Sequence, residues 1–94
     1  ILEIGIATGN SLRSLKYYFP KSKIYGVDCD FKYINYNHLD DITLIYSEAP
    51  SEKFSDTLKT LNIKFDIIID DGSHYIEDVV YVVNNFLSKL NLNG

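Results

Sequence analysis

ILEIGIATG, residues 1–9, is the stretch whose reading decides the fold. Its first half has the pattern of a buried strand. It runs directly into a turn where Gly5, Ala7 and Gly9 are small, so the backbone can bend tightly and a ligand can approach it closely. An acid, Glu3, stands just ahead of the turn. The dinucleotide fingerprint would require a small residue at position 10 as well, and Asn10 breaks that pattern, which disfavours a nicotinamide-dependent oxidoreductase. Read without any chemistry, the same glycines would serve a strand-to-helix turn for geometry alone.

Working outward, the chain alternates between strand and helix patterns. Asn10 and Ser11 are candidate N-caps for a helix with Leu12, Leu15 and Phe19 on one face, stopped by Pro20. The N-terminus of that helix points back at the glycine turn. Its free N–H groups and dipole suit an anion such as an amino-acid carboxylate. Residues 23–28, KIYGVD, read as a strand that ends in Asp28, about 20 residues beyond the turn, where nucleotide-binding folds place a ribose-binding carboxylate. Helix capping is the plainer role for the same residue. Asp30 is a candidate cap for a short helix through Phe31, Tyr33, Ile34 and His38, with His38 at the surface. Residues 42–46 read as a third strand, and 47–50 as a loop. Ser51 is expected to cap a helix carrying Phe54, Leu58 and Leu61, ended by Asn62.

The spacing acid-x-Gly-x-Ala-x-Gly at Glu3, Gly5, Ala7 and Gly9 resembles the first motif of class I S-adenosylmethionine-dependent methyltransferases. The resemblance extends over nearly all of the chain. It implies that Gly5 and Asp28 surround the cofactor, that Cys29 packs as a small apolar group near the adenine, and that Glu48 reaches the adenine amino group. Glu48 stands where the family more often has aspartate, and a solvated loop acid is its alternative reading. The implied fold is α/β: a Rossmann-like, doubly wound parallel sheet in a three-layer α/β/α sandwich.

Residues 65–74, FDIIIDDGSH, form the second informative stretch. Three consecutive isoleucines predict a strand buried on both faces, with a polar cluster at its carboxyl end, the end that lines the ligand crevice of an open α/β sheet. Asp70, Asp71, Ser73 and His74 are therefore expected to face the same cleft as the glycine turn. Asp70 joins Glu3, Gly5, Ala7, Gly9, Asp28, Cys29 and Glu48 in the candidate cofactor-binding set. A following helix is expected to present Ile76, Val79, Val80, Val83, Phe86, Leu87 and Leu90 on one face. Asp71 offers hard oxygen to a magnesium-like cation, and the His74 imidazole, with an ordinary pKa of about 6.5, suits proton removal from a hydroxyl. Such a cation lowers the pKa of a coordinated hydroxyl, which points to O-methylation. Ser73 reads as a helix cap, and DDGSH as a whole also makes sense as a structural turn.

DDGSH after an apolar strand resembles the metal-dependent sugar O-methyltransferases that act on macrolides. That resemblance implies Asp71 as a metal ligand and His74 as general base, with the other metal ligands on a strand after the last helix. The implied function is S-adenosylmethionine-dependent O-methylation of a small-molecule or sugar hydroxyl, assisted by a divalent metal such as Mg2+. The alternative is a methyltransferase-like module that binds a nucleoside or a protein without turnover.

Composition bounds these readings. Ninety-four residues with 46% hydrophobic content suit one domain, 1–94. The apolar start at Ile1 and the Leu92-Asn93-Gly94 ending lead us to expect a partial domain, truncated after the fourth strand and its helix. The net charge of -4 provides no basic footprint for nucleic acid. The lone Cys29 forms no internal disulfide and no run is apolar enough to span a bilayer, so a cytoplasmic location is the expectation.

Overall fold

The structure, a computed structural model, describes residues 1–47 and 52–94, apart from the side chains of Phe54 and Leu61. The chain starts in the middle of its sheet. β1 (Leu2–Ile4) is followed by α1 (Asn10–Tyr18), β2 (Ile24–Asp28), β3 (Ile42–Tyr46), α2 (Glu52–Leu61), β4 (Ile68–Asp70) and α3 (Ile76–Phe86), with a 3-10 turn at Leu87–Lys89. All pairings are parallel and the order is β3-β2-β1-β4. The chain therefore winds outward from β1 through β2 to β3, then jumps back across β1 to β4. That reversal is a topological switch point, where open α/β sheets form their ligand crevice.

The reversal also decides which face each helix covers. Leu2, Ile4 and Val27 pack with Leu58 of α2 and with Val82 and Phe86 of α3 on one face. Ile6 and Ile24 pack with Leu12 of α1 and with Ile34 and Leu39 of the β2–β3 connection on the other. Strand alternation puts Glu3 and its register partner Gly26 on the α1 face. Gly26 is what lets α1 lie close, since a Cβ there would come within 2.7 Å of Leu12 Cδ1 and 2.9 Å of Ile6 Cγ2.

The three-layer parallel architecture matches the expectation, and β3 has the expected bounds. Several local readings do not. No side chain caps α1: Gly9 holds the N-cap position at φ 84°, and Asn10 is already the first helical residue. No helix forms between β2 and β3. Asp30 and Asn35 instead use their side-chain oxygens to accept the N–H of Lys32 and Asn37, local turns that compete with a helix. His38, exposed, takes φ 60° there. The expectations for Glu48 and for Ser51 as a cap fall outside the described residues.

The triple-isoleucine strand is shorter than expected and not buried on both faces. β4 covers Ile68–Asp70, with Ile67 40% exposed and Ile68 and Ile69 half-buried. Ile68 and Ile69 do point to opposite cores, but β4 sits at the edge of the described sheet, so neither is closed in laterally. α3 departs for the same reason. It meets the sheet through Val82 and Phe86, while Ile76, Val79, Val80, Val83 and Leu87 of the predicted face stay exposed. Its sequence, IEDVVYVVNNF, is apolar over so much of its circumference that periodicity does not select the contacting stripe.

Gly26→Ala is expected to lower unfolding free energy by about 1–3 kcal/mol, because Leu12 is wholly buried and cannot swing aside. Urea denaturation checks this, and an unchanged midpoint would show that α1 does not press on β2 at this point.

Candidate functional site

The cleft opens at the carboxyl ends of β1 and β2, on a turn that is left-handed at three positions. Gly5 (φ 82°) and Gly9 (φ 84°) take that conformation freely, but Ala7 (φ 44°) carries a Cβ. Such a residue costs about 1–3 kcal/mol and persists only where its surroundings hold it. Asp28 does so from β2: its Oδ2 accepts the Ile6 N–H at 2.9 Å and the Ala7 N–H at 3.3 Å, and its Oδ1 accepts the Asp30 N–H at 3.1 Å. Burial works against the Asp28 charge, yet the N–H donors of Ile6, Asp30, Ala7 and Cys29 outweigh it and hold the carboxyl below its usual value. Asp28 therefore organises the turn as well as facing the cleft. Gly5 is required for space too, since a Cβ would lie 2.3 Å from the Asp71 carbonyl oxygen, where the chain leaving β4 crosses the turn.

Glu3 forms the floor. It is 2% exposed, and its Oε2 has no hydrogen-bond partner among the described residues. Burial pushes its carboxyl up; the Ser11 hydroxyl, bonded to it, pulls the other way, and the negative charge of Asp71 adds to the rise. Ser11 thus serves the buried acid instead of capping α1. A carboxyl with one unpartnered oxygen beside a helix N-terminus without a side-chain cap puts an acceptor and a positive helix end next to each other.

Glu3, Gly5, Ala7, Asp28, Cys29, Asp71 and Ser73 all line this cleft, whose volume is about 500 Å3, within the usual range for a nucleoside-sized ligand. Gly9 sits just behind, buried against Leu39. Cys29 is exposed at the rim, not packed. The expectation that the whole DDGSH cluster faces the glycine turn needs correction. Asp70 and the exposed His74 line a neighbouring groove of about 310 Å3 between β4 and α3, and Ser73 is common to both cavities. The cause is strand alternation followed by a turn: Asp70 Oδ1 accepts the Gly72 N–H at 3.3 Å, and the Ser73 hydroxyl accepts the Tyr75 N–H at 3.2 Å, which throws consecutive side chains to opposite sides.

The profile of a family described as a methyltransferase domain matches residues 2–94. The chain belongs to this family. It is 36% identical over 83 residues to mycinamicin VI 2''-O-methyltransferase of Micromonospora griseorubida, covering 79% of this chain and 20% of that protein. It is 35% identical over 88 residues to demethylmacrocin O-methyltransferase of Streptomyces fradiae, covering 84% and 21%. A solved structure described as MycE methyltransferase from the mycinamycin biosynthetic pathway, in complex with Mg, SAH and mycinamycin VI, superposes with a TM-score of 0.80 at 32% identity. The match covers 96% of this chain and 26% of that one. The chain thus spans about a fifth to a quarter of the length of these relatives.

For this methyltransferase domain, the orphaned Glu3 oxygen and the Asp28 carboxylate, set on either side of the Gly5 turn, are acceptors that fit the amino and hydroxyl donors of a nucleoside joined to an amino acid. The described residues fit a metal less well. They include no group of three metal-ligating side chains, and one carboxylate at Asp71 does not satisfy a cation that takes six oxygens. Among the described residues no helix is long and apolar enough to cross a membrane. Two roles escaped the sequence reading: that of Ser11, read there only as a helix cap, whose partner Glu3 is 8 residues away across the turn, and that of Arg13, the sole arginine in the chain.

The two acids make opposite contributions to stability with pH. Glu3 holds its proton more tightly folded than unfolded, so its contribution falls as pH rises above 4.5 and through its raised folded value. Glu3→Gln is therefore expected to gain stability relative to the parent as pH rises over that window. The Asp28 contribution is present above 3.8 and is lost as pH falls through its lowered folded value, so the deficit of Asp28→Asn is expected to shrink in acid. Denaturant titrations from pH 3 to 8 read both slopes; parallel curves for all three proteins would remove this assignment.

Proposed function

We propose that the chain is the S-adenosylmethionine-binding part of an O-methyltransferase whose acceptor is a hydroxyl of a sugar-bearing small molecule. The observation that carries the reading is the alignment of the Glu3 floor, the left-handed turn at residues 5–9 and the Asp28 carboxylate around one cleft at the switch point. The relatives support the reaction class: those named above are O-methyltransferases, and one was solved with SAH and Mg.

S-adenosylmethionine, when bound, would supply an electrophilic methyl carbon: an oxygen bonds to it as the carbon–sulfur bond breaks, and the sulfur leaves as the neutral thioether S-adenosylhomocysteine. The chain's own residues do the rest. Asp28 accepts ribose hydroxyls while keeping the turn in shape, and Glu3 pairs with the amino group of the amino-acid end beneath the first turn of α1. Gly5 and Ala7 let the ligand lie against the backbone, while Gly9 sits behind them against Leu39. Cys29 borders the adenine, and Glu48 is assigned to the adenine amino group from the family resemblance alone. Asp70 contributes by holding the turn that carries Gly72 and Ser73. His74 takes the acceptor's proton from the neighbouring groove, which meets the cofactor cleft at Ser73. Alignment of acceptor and methyl carbon across that ridge supplies most of the rate. Asp71 is the residue that would hold one position of a divalent cation; with no second ligand described, no step is routed through it.

A second reading, a module that binds a nucleoside without turnover, is favoured by one observation: His74 is exposed and outside the cofactor cleft. Calorimetric titration of S-adenosylmethionine into the complete protein, with NAD as control, tests the cofactor. Micromolar binding weakened about tenfold or more by Asp28→Ala is the expected result. His74→Ala is expected to cut turnover at least about 100-fold with cofactor affinity kept. Full turnover in His74→Ala would remove its assignment as the base, and no S-adenosylmethionine binding by a folded protein would remove the cofactor reading.

A further inference from the structure

The side of the glycine turn away from Asp28 is held by a residue that no catalytic reading requires. Arg13 lies one helical turn into α1, and its guanidinium reaches back over the start of the helix. Nη1 donates to the carbonyl oxygens of Asn35 at 2.6 Å and Asn37 at 3.3 Å; Nη2 donates to the Thr8 carbonyl oxygen at 3.3 Å and to Asn10 Oδ1. The Asn35 N–H donates to the same Thr8 oxygen at 3.1 Å. The glycine turn, the first turn of α1 that follows it and the β2–β3 connection, 22 residues from Arg13 at Asn35, are thus tied at one point.

We propose that Arg13 is the positioning residue that clamps the β2–β3 connection onto the glycine turn and so presets the cofactor cleft. The strained link Ala7 lies between two anchors, with Asp28 on the amides of residues 6 and 7 and Arg13 on the carbonyl of residue 8. A left-handed residue bearing a Cβ relaxes when one anchor is lost, and relaxation here moves the turn that lines the cleft. The task suits a guanidinium. Its planar fork carries five donors at fixed angles, so it can serve four acceptors on three segments, whereas a lysine ammonium carries three donors at one point. Gly9 belongs to the same arrangement: a Cβ there would stand 3.2 Å from Leu39 Cδ1 and 3.5 Å from Arg13 Nη1, so the glycine lets the connection close down on the turn.

The proposal rests on the cofactor reading for its functional consequence, and its test separates the two. Hydrogen exchange of the ligand-free complete protein is measured for the parent, Arg13→Gln and Arg13→Lys, with Lys16→Ala as a control on the same helix. S-adenosylmethionine affinity, kcat and thermal midpoint are read on the same four proteins. Both Arg13 variants are expected to lose protection at the Asn35 amide by about tenfold and to bind S-adenosylmethionine about tenfold more weakly, with kcat at saturating cofactor within about twofold. Lys16→Ala, which removes only a bond to the Ser22 carbonyl, is expected to leave exchange and affinity unchanged. If the parent does not bind S-adenosylmethionine, the cofactor reading fails and Asn35 exchange alone decides the clamp. Asn35 protection unchanged in Arg13→Gln, or affinity unchanged where the parent binds, overturns the proposal, as does rescue of both by Arg13→Lys.

Discussion

The carboxylate of Asp28 accepting the amides of Ile6 and Ala7 is the interaction on which the rest of this structure depends. It joins the end of β2 to the turn after β1, and so fixes where α1 begins. The position of α1 decides the depth of the cleft, because Leu12 seats over Gly26 and Ser11 comes down on Glu3. A neutral side chain at 28 would face the same N–H donors without the charge that makes those bonds strong. The residue to which the proposed function assigns the ribose is therefore also the one that builds that side of the cleft. Binding and architecture are not separable at this position.

Glu3 shows the opposite arrangement. It lies in the most buried strand of the sheet, with one oxygen bonded and one without a partner, at a cost that a leucine would not incur. Nothing in the fold requires an acid there. A half-satisfied carboxyl beneath a helix start is a cost that a ligand with a cationic group would offset, which is why it supports the cofactor reading better than the glycines do. The glycines answer to geometry: Gly5 is confined by the chain leaving β4 whether or not a ligand exists.

The cleft and the groove beside it form a pair joined at Ser73. The first is polar at its floor and bounded by the turn. The second runs along the apolar side of α3 and carries His74 at its end. Under the proposed function the cofactor and the acceptor would occupy these two compartments, which arise because the turn sends Asp71 one way and His74 the other. The same turn explains why one five-residue motif divides between two cavities instead of lining one.

Most of the fold was legible in the sequence because its signals are local. Apolar runs ending in small or acidic residues marked β1, β2 and β3, helical spacing marked α1, and the alternation of the two implied a parallel sheet. At the site, Gly5, Ala7, Asp28, Asp71 and the acid at Glu3 were all legible from type and spacing. Other features depended on which segments meet across the sheet, and one-dimensional pattern does not encode that. The turns at Asp30 and Asn35 displaced an expected helix through side-chain bonds with two-residue reach. The exposure of Ile67 and of one side of α3 followed from the place of β4 in the strand order. Ser11 found Glu3 and Arg13 found Thr8, Asn35 and Asn37 only once α1 had settled on β2. The sequence by itself determined the elements, their order and the chemical types gathered at the strand ends, since these rest on periodicity and on the conformational limits of single residues. Only the tertiary structure decided which acid holds the turn, which is left half-bonded and which cavity each side chain enters, because those outcomes depend on contacts between residues far apart in the chain.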